Sequence, residues 1–211
     1  AAKGEKITAI KLEVKDNLQL GSALDEEDEL EIETSADSYG VAEWEIDNEG
    51  FTWNSEHKPR VKVTVTADDD YYFSVSKDKV KIKGDAAKVV STKKEDSQTL
   101  IITLDLKPMA ERVGPIEYAY LNRTVATWAP AQGAVAYELY HYRDSKAVGS
   151  KRTTTETTYD FGTAIRKDGE YYYKVRAVGA EGSKEGKYTE SSSRYVSPSE
   201  AQALASAGNS I

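Results

Sequence analysis

Apolar and polar residues alternate one for one along much of this chain. Ile10, Leu12 and Val14 are interleaved with Lys11, Glu13 and Lys15, and Leu30, Ile32 and Thr34 with Glu29, Glu31 and Glu33. Ala42, Trp44 and Ile46 alternate with Val41, Glu43 and Glu45, and Val61, Val63 and Val65 with Lys62, Thr64 and Thr66. Further runs are Tyr71/Phe73/Val75, Val80/Ile82 and Leu100/Ile102/Leu104/Leu106. A period of two puts one residue set on each face of a strand. The first half therefore predicts about seven half-buried strands, separated by turn clusters such as DNEG and ADDD. One apolar and one solvated face per strand is what two antiparallel sheets packed face to face require, so the expectation is a β-sandwich.

The second half repeats the pattern with different residues. In RTVATWAP, Thr124, Ala126 and Trp128 share a face before Pro130 ends the run. Tyr137, Leu139 and His141 share one in VAYELYHYR, and Tyr171, Tyr173, Val175 and Ala177 share one in GEYYYKVRAV. Residues 1–113 hold 16 basic and 25 acidic residues, a net of −9, whereas residues 114–211 hold 12 and 11, a net of +1. Eleven of the 14 Tyr lie in the second half. Pro108, Gly114 and Pro115 punctuate the change, which places a boundary between Met109 and Pro115. The expected organisation is two tandem antiparallel sandwiches over 1–110 and 111–197. Residues 198–211 are small and polar and read as a tail or linker.

The early-strand Trp128, the Tyr137-x-Leu139 strand, the TTYDF strand, the spacing from Ile165 to Tyr171 and the run KVRAV occur together. As a set they resemble a fibronectin type III domain over residues 115–197. The sequence departs from that pattern in lacking a Pro in RKDGE and any RGD tripeptide. A Tyr at position 171 is placed to swing its hydroxyl back to the preceding loop, as in the tyrosine corner of immunoglobulin-like sandwiches. The Trp44 strand and DDDYYFSVSKDKVKIKG are similar to an immunoglobulin-like module of secreted Gram-positive bacterial surface proteins. The resemblances imply an immunoglobulin-like sandwich followed by a fibronectin type III-like one, in a secreted or cell-surface protein. By the same resemblance, such tandems are non-catalytic. They act in adhesion, bind a cell-wall or host glycan or a surface protein, or space and present other domains of the parent chain.

Composition narrows the chemistry. The absence of Cys removes disulfides, thiolate metal sites and Cys nucleophiles. A net charge of −8 disfavours nucleic acid, whose phosphates reward a basic groove. No apolar run is long enough for a membrane helix. The chain opens AAKGEKIT without Met, which fits a processed or excised product. GxSxG, HExxH and Walker sequences do not occur, and GAEGSKEGK has the wrong spacing for a phosphate loop. His57 lies in a polar loop and His141 on an inward face, so neither is placed as a catalytic base. No cofactor is expected beyond calcium, whose weak candidates are Asp25, Glu26 and Asp28 in DEEDELEIE and Asp68, Asp69 and Asp70 in ADDD. The lysine series Lys77, Lys79, Lys81 and Lys83 reads as the solvent face of a strand.

The inward assignments leave Tyr140, Tyr142, Tyr172, Lys174 and Arg176 pointing outward on two strands that the resemblance makes neighbours. Three tyrosines beside two cations form either cross-strand packing or a ligand-binding face. Phe51 and Trp53 form either an aromatic loop tip or a closure of the first core. These residues are the basis of the rival expectation, a carbohydrate-binding accessory region of a secreted glycan-active enzyme.

Overall fold

The computed structural model describes residues 4–22, 29–47 and 52–208. Among the described residues the chain is all-β, of sandwich type, with one short helix, and it divides into two compact units, 1–110 and 111–211.

In the first unit, β1 (Glu5–Ile7) and β2 (Ile10–Asp16) are followed by β3 (Leu30–Glu33), β4 (Tyr39–Ile46) and β5 (Arg60–Ala67). Then come β6 (Tyr71–Phe73), β7 (Val80–Lys83), β8 (Ala87–Asp96) and β9 (Thr99–Leu106). One sheet has the antiparallel order β4-β5-β9-β8, and the other has the order β3-β2-β7. β2 and β7 run parallel, as do β1 and β6 in a separate two-stranded pairing. Val61, Val63 and Val65 of β5 and Leu100, Ile102 and Leu104 of β9 share one buried core with Ile10, Leu12, Leu30 and Ile32. At the start of β1, the N–H of Glu5 donates to the Asp70 carbonyl, and a Cβ on Gly4 would lie 1.9 Å from that oxygen. Only glycine tolerates that approach at a φ of +71°.

Two details differ from the alternation pattern. The β4–β5 ladder shifts register between Val41 and Glu43. Ala42 is the extra residue of this bulge and is exposed, while Val41, Trp44 and Ile46 pack against the core. Lys77 and Lys79 lie in a single 3-10 turn ahead of β7, so the strand carries only Lys81 and Lys83 of that series. β8 and β13 (Lys146–Thr154), both long edge strands like β4, also take part in ladders with register shifts.

In the second unit, β10 (Ala119–Asn122), β11 (Val125–Trp128) and β14 (Thr158–Asp160) form one antiparallel sheet. β12 (Ala136–Arg143), β15 (Gly169–Val178) and β16 (Thr189–Glu190) continue from β13 in the order β13-β12-β15-β16, and β17 (Arg194–Val196) pairs with the start of β15. Trp128 sits between Tyr137 and Tyr173 in edge-on contacts, with centroids 5.5 and 6.0 Å away. The Tyr173 hydroxyl donates toward the Tyr120 and Thr127 carbonyls at 2.8 and 3.0 Å, fastening one sheet to the other. The Tyr171 hydroxyl donates to the Lys167 carbonyl at 2.9 Å.

Residues 198–208 are not a loose tail. They form α1 (Pro198–Gly208), with Ala201 and Leu204 packed against the second core. The Ser197 hydroxyl accepts the N–H of Glu200, and Glu200 pairs with Arg194 at 2.6 Å. A helix cap and an ion pair thus stabilise a segment whose composition alone offers little to bury.

Candidate functional site

The outward face of β12 and β15 gathers the tyrosines and cations singled out from the sequence. Antiparallel pairing sets Tyr142 opposite Tyr172, Tyr140 opposite Lys174 and Glu138 opposite Arg176. Opposite residues on one sheet face have Cβ atoms about 4.5–5.5 Å apart, so each pair meets. The Tyr142 and Tyr172 rings lie 4.9 Å apart and within 4° of parallel. The Lys174 ammonium sits 5.2 Å from the Tyr142 ring centre. Tyr140 leans on Tyr188 at 5.9 Å, and the Arg176 guanidinium covers the Tyr188 ring at 4.8 Å.

Glu138 is the centre of this face, and its place in the alternation gave no sign of that. Its side chain is only 11% exposed. Arg176 donates to one carboxylate oxygen through Nε at 2.9 Å and through its terminal nitrogen at 2.8 Å, and Lys151 pairs with the other oxygen. Arg176 also reaches Glu185 at 2.8 Å. The hydrogen bond from Lys151, reinforced by Arg176, holds the Glu138 carboxyl below the usual carboxylate range. The five outward residues expected here are together. They are half-buried and turned toward one another, which is the cross-strand packing arrangement.

Trp53 lies elsewhere and is fully buried, so it offers no surface to a ligand. Its backbone N–H donates to the Ser22 carbonyl and its backbone carbonyl accepts the N–H of Gly21, while its ring meets His57 edge-on at 5.2 Å. It closes the first core. Phe51 lies outside the described residues.

Of the calcium candidates, Asp25, Glu26 and Asp28 lie outside the described residues. Asp68, Asp69 and Asp70 are exposed in the turn before β6, where the Asp68 carbonyl accepts the N–H of Tyr71 and the Asp70 carbonyl that of Glu5. Among the described residues no three His, Cys, Asp or Glu side chains come together as a metal-holding group. No helix among them is long and apolar enough to cross a membrane.

His141 is 1% exposed and stacks between Phe161 at 4.4 Å and Tyr171 at 5.4 Å. Neither ring nitrogen has a hydrogen-bond partner among the described residues. Burial, with the Arg152 charge second, pushes its pKa down to about 4.

A second aromatic pair escaped the alternation argument. Tyr118 and Tyr120 stack at 5.1 Å and are 44% and 55% exposed. Tyr120 shares the outer face of its sheet with Asn122, Val125 and Thr127, all exposed. The signal available was the EYAY spacing, which sets the two rings on one side of an edge strand.

No family model and no curated protein matches the chain.

Proposed function

We propose that this chain is a non-catalytic module of an extracellular or cell-surface bacterial protein, a two-sandwich spacer that presents the domains joined to it. The observation that carries this reading is the closure of the β12–β15 face. Glu138 is matched to two cations, Arg176 to two carboxylates, and the tyrosine rings to one another or to a cation. A general acid, a nucleophile or a sugar platform needs a group aimed at open space, and here the groups satisfy one another. The test is a glycan and cell-wall binding screen with the purified chain, repeated in calcium and in chelator. The expected result is no saturable binding that depends on the β12–β15 face. Binding lost in a folded Tyr140→Ala/Tyr172→Ala variant would overturn the spacer reading.

The exposed Tyr118–Tyr120 pair favours a second reading, a carbohydrate-binding accessory region of a secreted glycan-active enzyme. Aromatic side chains beside Asn and Thr offer apolar contact and hydrogen bonds to a neutral sugar. That reading requires glycan binding that survives Tyr140→Ala and disappears in Tyr118→Ala/Tyr120→Ala.

A further inference from the structure

The first sandwich has an open flank where the edge strand of one sheet, β7, comes beside the edge strand of the other, β8. Between them runs a groove of about 730 Å³, lined by Val80, Lys81 and Ile82 from one side and Ala87, Lys88 and Val89 from the other, with Lys77 at its end. Its floor is the margin of the core. Val80 and Ala87 are buried, and Ile82 and Val89 are half-buried against the core cluster. Its rim is cationic in a domain whose net charge is strongly negative. Among the described residues Lys77, Lys81 and Lys88 are exposed and make no ion pair, and Asp78 is the one acid that lines the groove. The Asp78 carboxylate accepts from the Ser76 hydroxyl at 2.5 Å and keeps its charge beside Lys81, so three lysines stand against one acid on this rim.

The backbone of this flank also has capacity. Among the described residues β7 pairs with β2 alone, in an unbroken register from Ile10–Val80 to Glu13–Lys83, so its other edge presents main-chain N–H and C=O groups toward the groove side. β8 forms the opposite wall.

We propose that this groove receives an extended acidic peptide, which adds to the β7 edge as a further strand. Alternate apolar side chains of the peptide cover Ile82 and Val89, and its carboxylates meet Lys77, Lys81 and Lys88. Backbone bonding to a sheet edge supplies affinity, while pockets for alternate side chains and the charged rim supply selection. The lysines serve both ends of that selection. They repel the same edge of another copy and attract a segment of opposite charge. The occupant is a peptide rather than a simple polyanion because the groove has an apolar floor and an unpaired strand edge, neither of which rewards charge alone. The proposal does not depend on the β12–β15 face.

The test titrates the full chain with a fluorescein-labelled synthetic peptide alternating glutamate and valine, read by anisotropy and by backbone amide shifts. Polyglutamate and polyphosphate serve as comparison ligands. Saturable binding is expected, with shifts concentrated at residues 80–83 and 87–89. Affinity should fall at least about tenfold in Lys81→Glu/Lys88→Glu. It should also fall when the peptide is N-methylated on alternate residues, a change that leaves the protein untouched and keeps the result independent of folding. No saturable binding, equal binding by polyphosphate, insensitivity to N-methylation, or shifts confined to other residues would each overturn the proposal.

Discussion

The imidazole of His141 lies 20° from parallel with the Phe161 ring, 4.4 Å away, and is covered on its other side by Tyr171. A neutral ring suits that slot and a charged one does not. The unfolded chain takes up a proton near the ordinary His value of about 6.5, whereas the folded chain resists until about 4. Between those values the unfolded state binds more protons, so stability falls as pH falls through that window. Wild-type chain should lose on the order of 3 kcal/mol more than a His141→Phe variant between neutral pH and pH 4. Urea unfolding across that range measures it, and equal pH slopes in both proteins would refute the assignment.

Glu138 gives a second pH-linked element, of the opposite charge type. Its carboxyl is held below the usual range, so the stability it contributes is present at neutral pH and is lost as pH falls through its depressed pKa. Glu138→Ala should cost about 1–3 kcal/mol, because Arg176 keeps its charge in a half-buried place. Arg176→Met alone should cost a similar amount, and the double variant should cost less than the sum. A double-mutant cycle by denaturant unfolding checks this, and strict additivity would show that the pair is not coupled.

Tyr173→Phe removes one hydroxyl and leaves the Tyr120 and Thr127 carbonyls without it. The expected loss is about 1–3 kcal/mol in the second unit. Trp53→Ala should cost about 3–5 kcal/mol in the first unit, by emptying a fully buried site. Thermal unfolding compared with wild type reads both, and a Trp53→Ala variant of wild-type stability would contradict the closure role.

Ser197→Ala should weaken the start of α1 by about 1 kcal/mol and raise amide exchange across residues 198–204. Unchanged protection of those amides would mean that the cap does not hold the helix.

The strands whose inward positions are all large and apolar were legible, as β5 and β9 show. β8 and β13 were not, because edge strands that bury so few side chains have little reason to alternate. Their sequences AKVVSTKKED and KAVGSKRTT have almost no period of two. Trp44 could be assigned to the core, but the Ala42 bulge reversed the side of Val41, since one inserted residue flips the pleat. The outward set from Tyr140 to Arg176 followed from alternation, whereas its saturation by Glu138, Lys151 and Glu185 depends on neighbours distant in sequence. α1 did carry a local signal, Ser197-Pro198-Ser199-Glu200, a capping residue with Pro at the first helical position and Glu at the third. Its small, polar composition concealed it.

The interrupted ladders along β4, β8 and β13 have a consequence for crowding. A long, flat strand margin is a template on which a neighbouring molecule can extend the same sheet, and each register shift bends that template out of line. At high density, copies of the molecule would therefore find β4, β8 and β13 poor margins on which to extend a shared sheet, which narrows orderly strand addition to the short, lysine-lined β7.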